Sequence, residues 1–190
     1  MRKTSFAQLS SFYFFYFATL GAFVPYWSPY LKSLNFSAAE IGELIAVVMG
    51  SKVFSPYLLS WLSDHISRRL IIVQISMVFA TLIFAGVLPY QSYWWFVVVM
   101  AAFGFFWNAS MPLFEALTLN SLGDDINRYS HIRLWGSVGF IVLVVLLPYY
   151  IEGEDIERLP KFILGLLMAT MVTTFLVKDK PSKIIDAQAT

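Results

Sequence analysis

Six apolar stretches follow one another along the 190 residues, at 9–31, 41–62, 70–88, 93–119, 132–150 and 162–177. Each is near the length needed to cross about 30 Å of hydrocarbon. Backbone polar groups in lipid must be satisfied within the segment, so stretches of this kind predict membrane-spanning helices. The expected class is an all-α membrane protein. Composition agrees: 13% of residues are charged and 58% are hydrophobic, where a soluble domain carries about 25% charge. The third stretch is the cleanest, with no charge between Arg69 and Pro89. The sixth is the shortest, flanked by Lys161 and Lys178, whose long stems can snorkel. The first is too long for a signal-peptide core and no small-residue cleavage site follows it, so it is expected to be a retained span.

Polar breaks separate the stretches. Lys32, Asn35 and Ser37 close the first and cap the second. The segment SWLSDHISRR occupies 60–69, PYQS 89–92, GDDIN 123–127 and EGEDIE 152–157. Arg2, Lys3, Arg68, Arg69, Arg128, Lys178, Lys180 and Lys183 fall on one side of the predicted topology, and Lys32, Arg158 and Lys161 on the other. Cytoplasmic loops collect Lys and Arg, so both termini are expected in the cytoplasm and the acidic loop outside. An even number of spans is required for that. Tyr90, Tyr93, Trp94 and Trp95 are expected at an interface, where aromatic rings are favoured. Residues 1–177 are therefore expected to form one bundle and 178–190 a polar cytoplasmic linker or tail.

Several function classes drop out. The chain has no cysteine and only two histidines, His65 and His131, so thiolate chemistry and a metal-site motif are not expected. A net charge of +1 without a basic stripe gives no footprint for nucleic acid. No nucleophile–base set or phosphate loop is present, so neither an enzyme nor a cofactor is expected.

Charges within the spans are the informative residues. A charge at the bilayer centre costs at least about 2.5–3.5 kcal/mol, so it usually faces a cavity or a partner. Glu43 lies one turn from the membrane edge and reads as interfacial. Lys52 lies mid-span, too deep to snorkel, and implies a ligand or an acidic partner on a neighbouring helix. Glu115 and Arg133 belong to consecutive spans, which are usually neighbours, so an ion pair between them is expected. Residues seven apart share a helix face. Asn108 thus shares a face with Glu115, and Arg133 shares one with Phe140, with Ser137 between. A charged clamp, an amide and an aromatic plate suit a small polar or amphipathic ligand; helix–helix packing with one structural ion pair is the alternative. Gly136 and Gly139 read as packing residues, and most of the aromatic run 12–17 as lipid-facing or core. Pro25, Pro29, Pro56 and Pro112 fall in or near spans, where proline is tolerated.

The loop at 60–69 resembles the major facilitator signature G-x-L-a-D-r-x-G-r-r between the second and third helices. Leu62, Asp64, Arg68 and Arg69 match, and Ser60 and Ser67 replace the two glycines. The resemblance implies a gating role for Asp64, Arg68 and Arg69. A wider likeness covers nearly the whole chain. Phe12 to Phe17, Gly21, Ala22 and Pro25 resemble the first helix of the lactose permease group; Gly104, Asn108, Pro112 and Glu115 resemble its fourth; the run RLWGSVG at 133–139 resembles its fifth. There the fourth-helix Glu and fifth-helix Arg bind sugar, which implies substrate contacts for Glu115 and Arg133. The group's stacking Trp is Phe140 here. Lys52, the RLWGSV run and Phe140 resemble the related phenylpropionate permease group more closely.

The implied fold is the N-terminal six-helix bundle of a twelve-helix major facilitator protein, completed by a second six-helix half in the same chain or another. The implied function is secondary transport, as proton-coupled uptake of a small organic solute such as an aromatic carboxylate, in a bacterial inner membrane. Expected substrate contacts are Lys52, Asn108, Glu115, Arg133 and Phe140. Sugars and nucleosides are alternative substrates. Efflux, and a non-transporting truncated protein or assembly subunit, are alternative functions.

Overall fold

The computed structural model describes residues 6–66, 68–123, 125–151 and 153–177. Arg2, Lys3, Ser67, Lys178, Lys180, Lys183 and the predicted tail 178–190 lie outside the described residues. The described chain is helical throughout: α1 (Phe6–Ser33), α2 (Ala38–Ile66), α3 (Arg69–Ala85), α4 (Tyr93–Leu122), α5 (Tyr129–Tyr150) and α6 (Leu159–Leu176), with short 3-10 turns at Ile126–Arg128 and Gly153–Arg158. Five of the six helices are long and apolar enough to cross a membrane. The exception is α3, at 17 residues. Its apolar stretch runs on to Leu88, but the N–H groups of Gly86, Val87 and Leu88 donate to Ile83, Phe84 and Ala85 carbonyls three residues back. The helix tightens into turns ahead of Pro89, which cannot continue it.

The first connection shows how local chemistry ends one helix and starts the next. Asn35 takes the left-handed conformation (φ 64°) that asparagine tolerates better than most residues. The Phe36 N–H reaches the Leu31 carbonyl and the Asn35 N–H the Lys32 carbonyl, which is the Schellman pattern at the end of α1. Ser37 and Glu40 then form a capping box for α2: the Ser37 N–H donates to Glu40 Oε2 at 2.8 Å, and the Glu40 N–H donates to Ser37 Oγ at 3.3 Å.

Packing does not follow chain order. The main pairs are α1 with α5, α2 with α4, α3 with α4, α1 with α6 and α3 with α6, while α4 and α5 barely meet. Glycine sets the close approaches. A Cβ on Gly139 would lie 2.2 Å from the Phe14 carbonyl oxygen, and one on Gly21 2.7 Å from that of Phe140. Gly136 faces the Phe17 ring in the same way. The packing role expected for Gly136 and Gly139 is thus what the geometry shows, since only a missing side chain allows α1 and α5 this close. On the other side of α1, rings do the filling. Phe12 stacks on Phe114 with centroids 3.6 Å apart, and Tyr16 on Trp107 at 4.1 Å, between helix backbones that scarcely approach one another.

Prolines sit inside α1, α2, α4 and α5. Pro148 has no N–H to offer the Val144 carbonyl one turn back. The Tyr26 hydroxyl donates to that carbonyl at 2.9 Å, so α1 supplies the bond that α5 lacks. The outside of the bundle is as apolar as its inside: Val53 is 66% exposed, Tyr57 78% and Trp61 68%. Such a surface belongs in lipid or against another bundle rather than in water.

Candidate functional site

Three helices converge on Arg133. Its guanidinium carbon lies 4.5 Å from the centre of the Phe17 ring and 5.7 Å from that of Tyr13. Phe17 and Tyr13 are one turn apart on α1, so both rings meet the same cation. Such contacts contribute about 0.5–2 kcal/mol, more as water is excluded. They occupy ring faces and leave the guanidinium N–H groups unspent. Among the described residues Arg133 has no hydrogen bond and no carboxylate within ion-pair distance.

The expected Glu115–Arg133 pair is not formed. Sequence neighbours made it reasonable, but α4 packs on α2 and α3, and α5 packs on α1. Glu115, half-buried on α4, instead accepts a hydrogen bond from the Tyr129 hydroxyl at the start of α5. Tyr129 lies one turn before Arg133, on the same side of the helix. The Tyr13 hydroxyl donates to Thr118 Oγ1 at 3.4 Å, three residues beyond Glu115. Glu115 and Arg133 both lie within electrostatic range of the Tyr13 and Tyr129 hydroxyls, so the four groups form one polar cluster.

The remaining predicted contacts are dispersed. Asn108 is buried at 7% exposure and its amide nitrogen donates to the Val48 carbonyl at 2.8 Å and to Ser51 Oγ at 2.7 Å. Both amide hydrogens are therefore spent clasping α4 to α2, beside the close approach that Gly104 permits. The shared face with Glu115 does not bring Asn108 into the Arg133 cluster. Phe140 is half-buried, with its carbonyl pressed against Gly21. Lys52 is exposed midway along α2, and no hydrogen bond or ion pair is seen for it among the described residues. The acidic partner on a neighbouring helix, one of its two expected roles, is absent from the described part of the bundle.

At the α2–α3 turn, Arg69 Nη2 meets Asp64 Oδ1 at 2.9 Å, and Arg68 is exposed beside them. With side chains 37% and 61% exposed, the pair contributes little to stability. At the opposite end, exposed Glu43 accepts from the Tyr93 hydroxyl, which ties α2 to the start of α4. Among the described residues no three side chains suited to a metal ion gather. The sequence offers Tyr13 and Phe17 only as part of an aromatic run, not as site residues, and does not single out Thr118 or Tyr129. The one-turn spacings 13–17 and 129–133 carried the signal, but nothing in the sequence says that α1 rather than α4 faces α5.

The chain belongs to the major facilitator superfamily: residues 6–188 match the MFS_1-like family. It is 30% identical over 171 residues to the probable 3-phenylpropionic acid transporter of Escherichia coli (strain K12), covering 87% of this chain and 44% of that protein. It is 30% identical over 145 residues to the maltose permease of Geobacillus stearothermophilus, covering 76% of this chain and 36% of the permease. The fold matches the crystal structure of the nucleoside transporter NupG with a TM-score of 0.83 at 18% identity, over 93% of this chain and 44% of that one. The chain spans less than half the length of each of these proteins.

Proposed function

We propose that this bundle is the N-terminal half of a secondary transporter that takes up a small aromatic carboxylate with protons by alternating access. The observation that carries the reading is Arg133: a cation held on two aromatic rings, with its N–H groups unspent. A carboxylate would take those N–H groups as charge-assisted hydrogen bonds, and its ring would lie beside half-buried Phe17, toward Phe140 two turns along α5 from Arg133. Lys52, mid-span without a partner among the described residues, adds positive charge to the same transport path. Glu115 shapes the wall on α4, and Asn108 holds α4 against α2 behind it. Asp64, Arg68 and Arg69 act as the gating loop. The relative of E. coli is a probable transporter of 3-phenylpropionic acid, which is the solute chemistry this cluster suits. A second six-helix half completes the carrier, with both termini of this half in the cytoplasm.

Uptake of labelled 3-phenylpropionate into proteoliposomes containing the whole protein tests the reading. An imposed inward proton gradient is expected to drive accumulation, and unlabelled maltose or uridine is expected not to compete. Competition by maltose or uridine transfers the assignment to sugars or nucleosides. Proton-driven export overturns the direction. No uptake of labelled 3-phenylpropionate, nor of labelled maltose or uridine run beside it, supports a protein that no longer transports.

A further inference from the structure

Opposite charges on two helices of one polar cluster ordinarily pair, and a guanidinium and a carboxylate do so with two parallel hydrogen bonds. Here they do not. Glu115 is taken by the Tyr129 hydroxyl, a neutral donor, and Arg133 is taken by ring faces that offer no oxygen. The arrangement has a chemical consequence. If Glu115 paired with Arg133, a ligand carboxylate would have to displace it, and the guanidinium charge would already be cancelled. With Glu115 bound to a phenol one turn away, the guanidinium keeps its charge and its donors.

We propose that Tyr129 is a positioning residue that sets the site's preference for an anionic ligand by holding the Glu115 carboxylate away from Arg133. This rests on the reading of the Arg133 cluster as the substrate site. Tyr129 is well placed for the task. It begins α5 immediately after the 3-10 turn Ile126–Arg128, and it shares a helix face with Arg133. Its ring packs against the core, so the hydroxyl is held by more than its own bond. The Tyr13 hydroxyl, bonded to Thr118, closes the cluster from α1. The ligand class that gains is a monoanionic carboxylate. Neutral polyols and alcohols, which do not compete with Glu115 for a charged partner, gain nothing from Tyr129.

A double-mutant cycle on the whole purified protein tests this, read by equilibrium binding of 3-phenylpropionate and of the neutral analogue 3-phenylpropan-1-ol. Tyr129→Phe removes one oxygen and frees Glu115 to pair with Arg133. It is expected to weaken 3-phenylpropionate binding about tenfold and to change binding of the alcohol less than twofold. In a Glu115→Gln background the same substitution is expected to change 3-phenylpropionate binding less than twofold, because no carboxylate is left to compete. A structural role for Tyr129 would give equal losses for both ligands and in both backgrounds, and that result overturns the proposal. So does unchanged binding by Tyr129→Phe. Should Tyr129→Phe not fold, Tyr129→4-methoxyphenylalanine, which keeps the ring and its oxygen but cannot donate to Glu115, is expected to weaken 3-phenylpropionate binding about tenfold and to change binding of the alcohol less than twofold, and unchanged 3-phenylpropionate binding or equal losses for both ligands overturn the proposal. If the unsubstituted protein binds neither ligand, the substrate-site reading itself falls and this one with it.

Discussion

Helix α1 is packed on two sides by opposite means. Toward α5 it meets Gly136 and Gly139, and the two backbones touch. Toward α4 it meets Phe114 and Trp107, and stacked rings keep the backbones apart. In lipid there is no gain from merely removing apolar surface from water, so association depends on close packing and on hydrogen bonds. The glycine seam achieves it by contact of main chains, which leaves no room for change. The aromatic seam achieves it with flat groups that can slide or tilt. The polar cluster of Tyr13, Glu115, Tyr129 and Arg133 lies where the two seams meet, at the end of α4 nearest the start of α5. A rigid wall beside an adjustable one is a suitable place for a ligand that must be bound and released.

Substitutions can break this contrast in a definite order. Phe114→Ala empties the ring stacked on Phe12 and leaves a cavity; a loss of about 3–5 kcal/mol is expected in an SDS-titration unfolding experiment. A loss under about 1 kcal/mol would show that the aromatic seam already yields. Gly139→Ala puts a methyl group where the Phe14 carbonyl oxygen lies 2.2 Å away, and about 1–3 kcal/mol of destabilisation is expected from overpacking. The matched change Gly165→Ala, on α6 with no atom within 4 Å of the added carbon, is expected to raise the melting temperature, because alanine favours a helix over glycine by about 0.8–1 kcal/mol. If both glycine variants behave alike, backbone contact is not what holds α1 to α5.

Smaller effects sharpen the picture. Asn108→Ala removes two hydrogen bonds between α2 and α4, but the Val48 carbonyl also accepts from Ser51 at 2.7 Å and is not left bare. Interhelical bonds in membrane proteins average about 0.6 kcal/mol, with a maximum near 1.7, and the loss is expected within that range by differential scanning fluorimetry. Unchanged ligand binding in the same variant would agree with Asn108 acting as a clasp. Asp64→Asn breaks the exposed pair with Arg69, and its effect on stability is expected below about 1 kcal/mol. Under the proposed gating role its effect on transport rate, measured as initial uptake, is expected to be the larger, since such a contact matters in exchange rather than at rest.

The number and nature of the helices were legible because lipid fixes both length and composition. Boundaries were less so. The apolar run of α3 extends to Leu88, yet backbone turning before Pro89 ends the helix at Ala85. The end of α1 and the start of α2 were readable from Asn35 and Ser37, whose side chains and conformations act locally. The site was half legible. Arg133 and Glu115 announced themselves as costly charges, and Gly136 and Gly139 as small residues on a packing face. Their partners did not, because helix adjacency is a property of the whole bundle. Chain order suggests α4 beside α5, while the packing puts α1 between the groups that matter. Asn108 misled for a related reason: a polar residue inside a span serves a ligand or a neighbouring helix, and its spacing from Glu115 is the same in either case.

The central claim is that Arg133 is kept free to bind a carboxylate. Equilibrium binding of 3-phenylpropionate to the purified whole protein, with Arg133→Ala beside it, tests that claim most directly. Loss of binding by more than tenfold, with the melting temperature of the folded protein preserved to within a few degrees, is the predicted result. Equal affinity in the two proteins would contradict it.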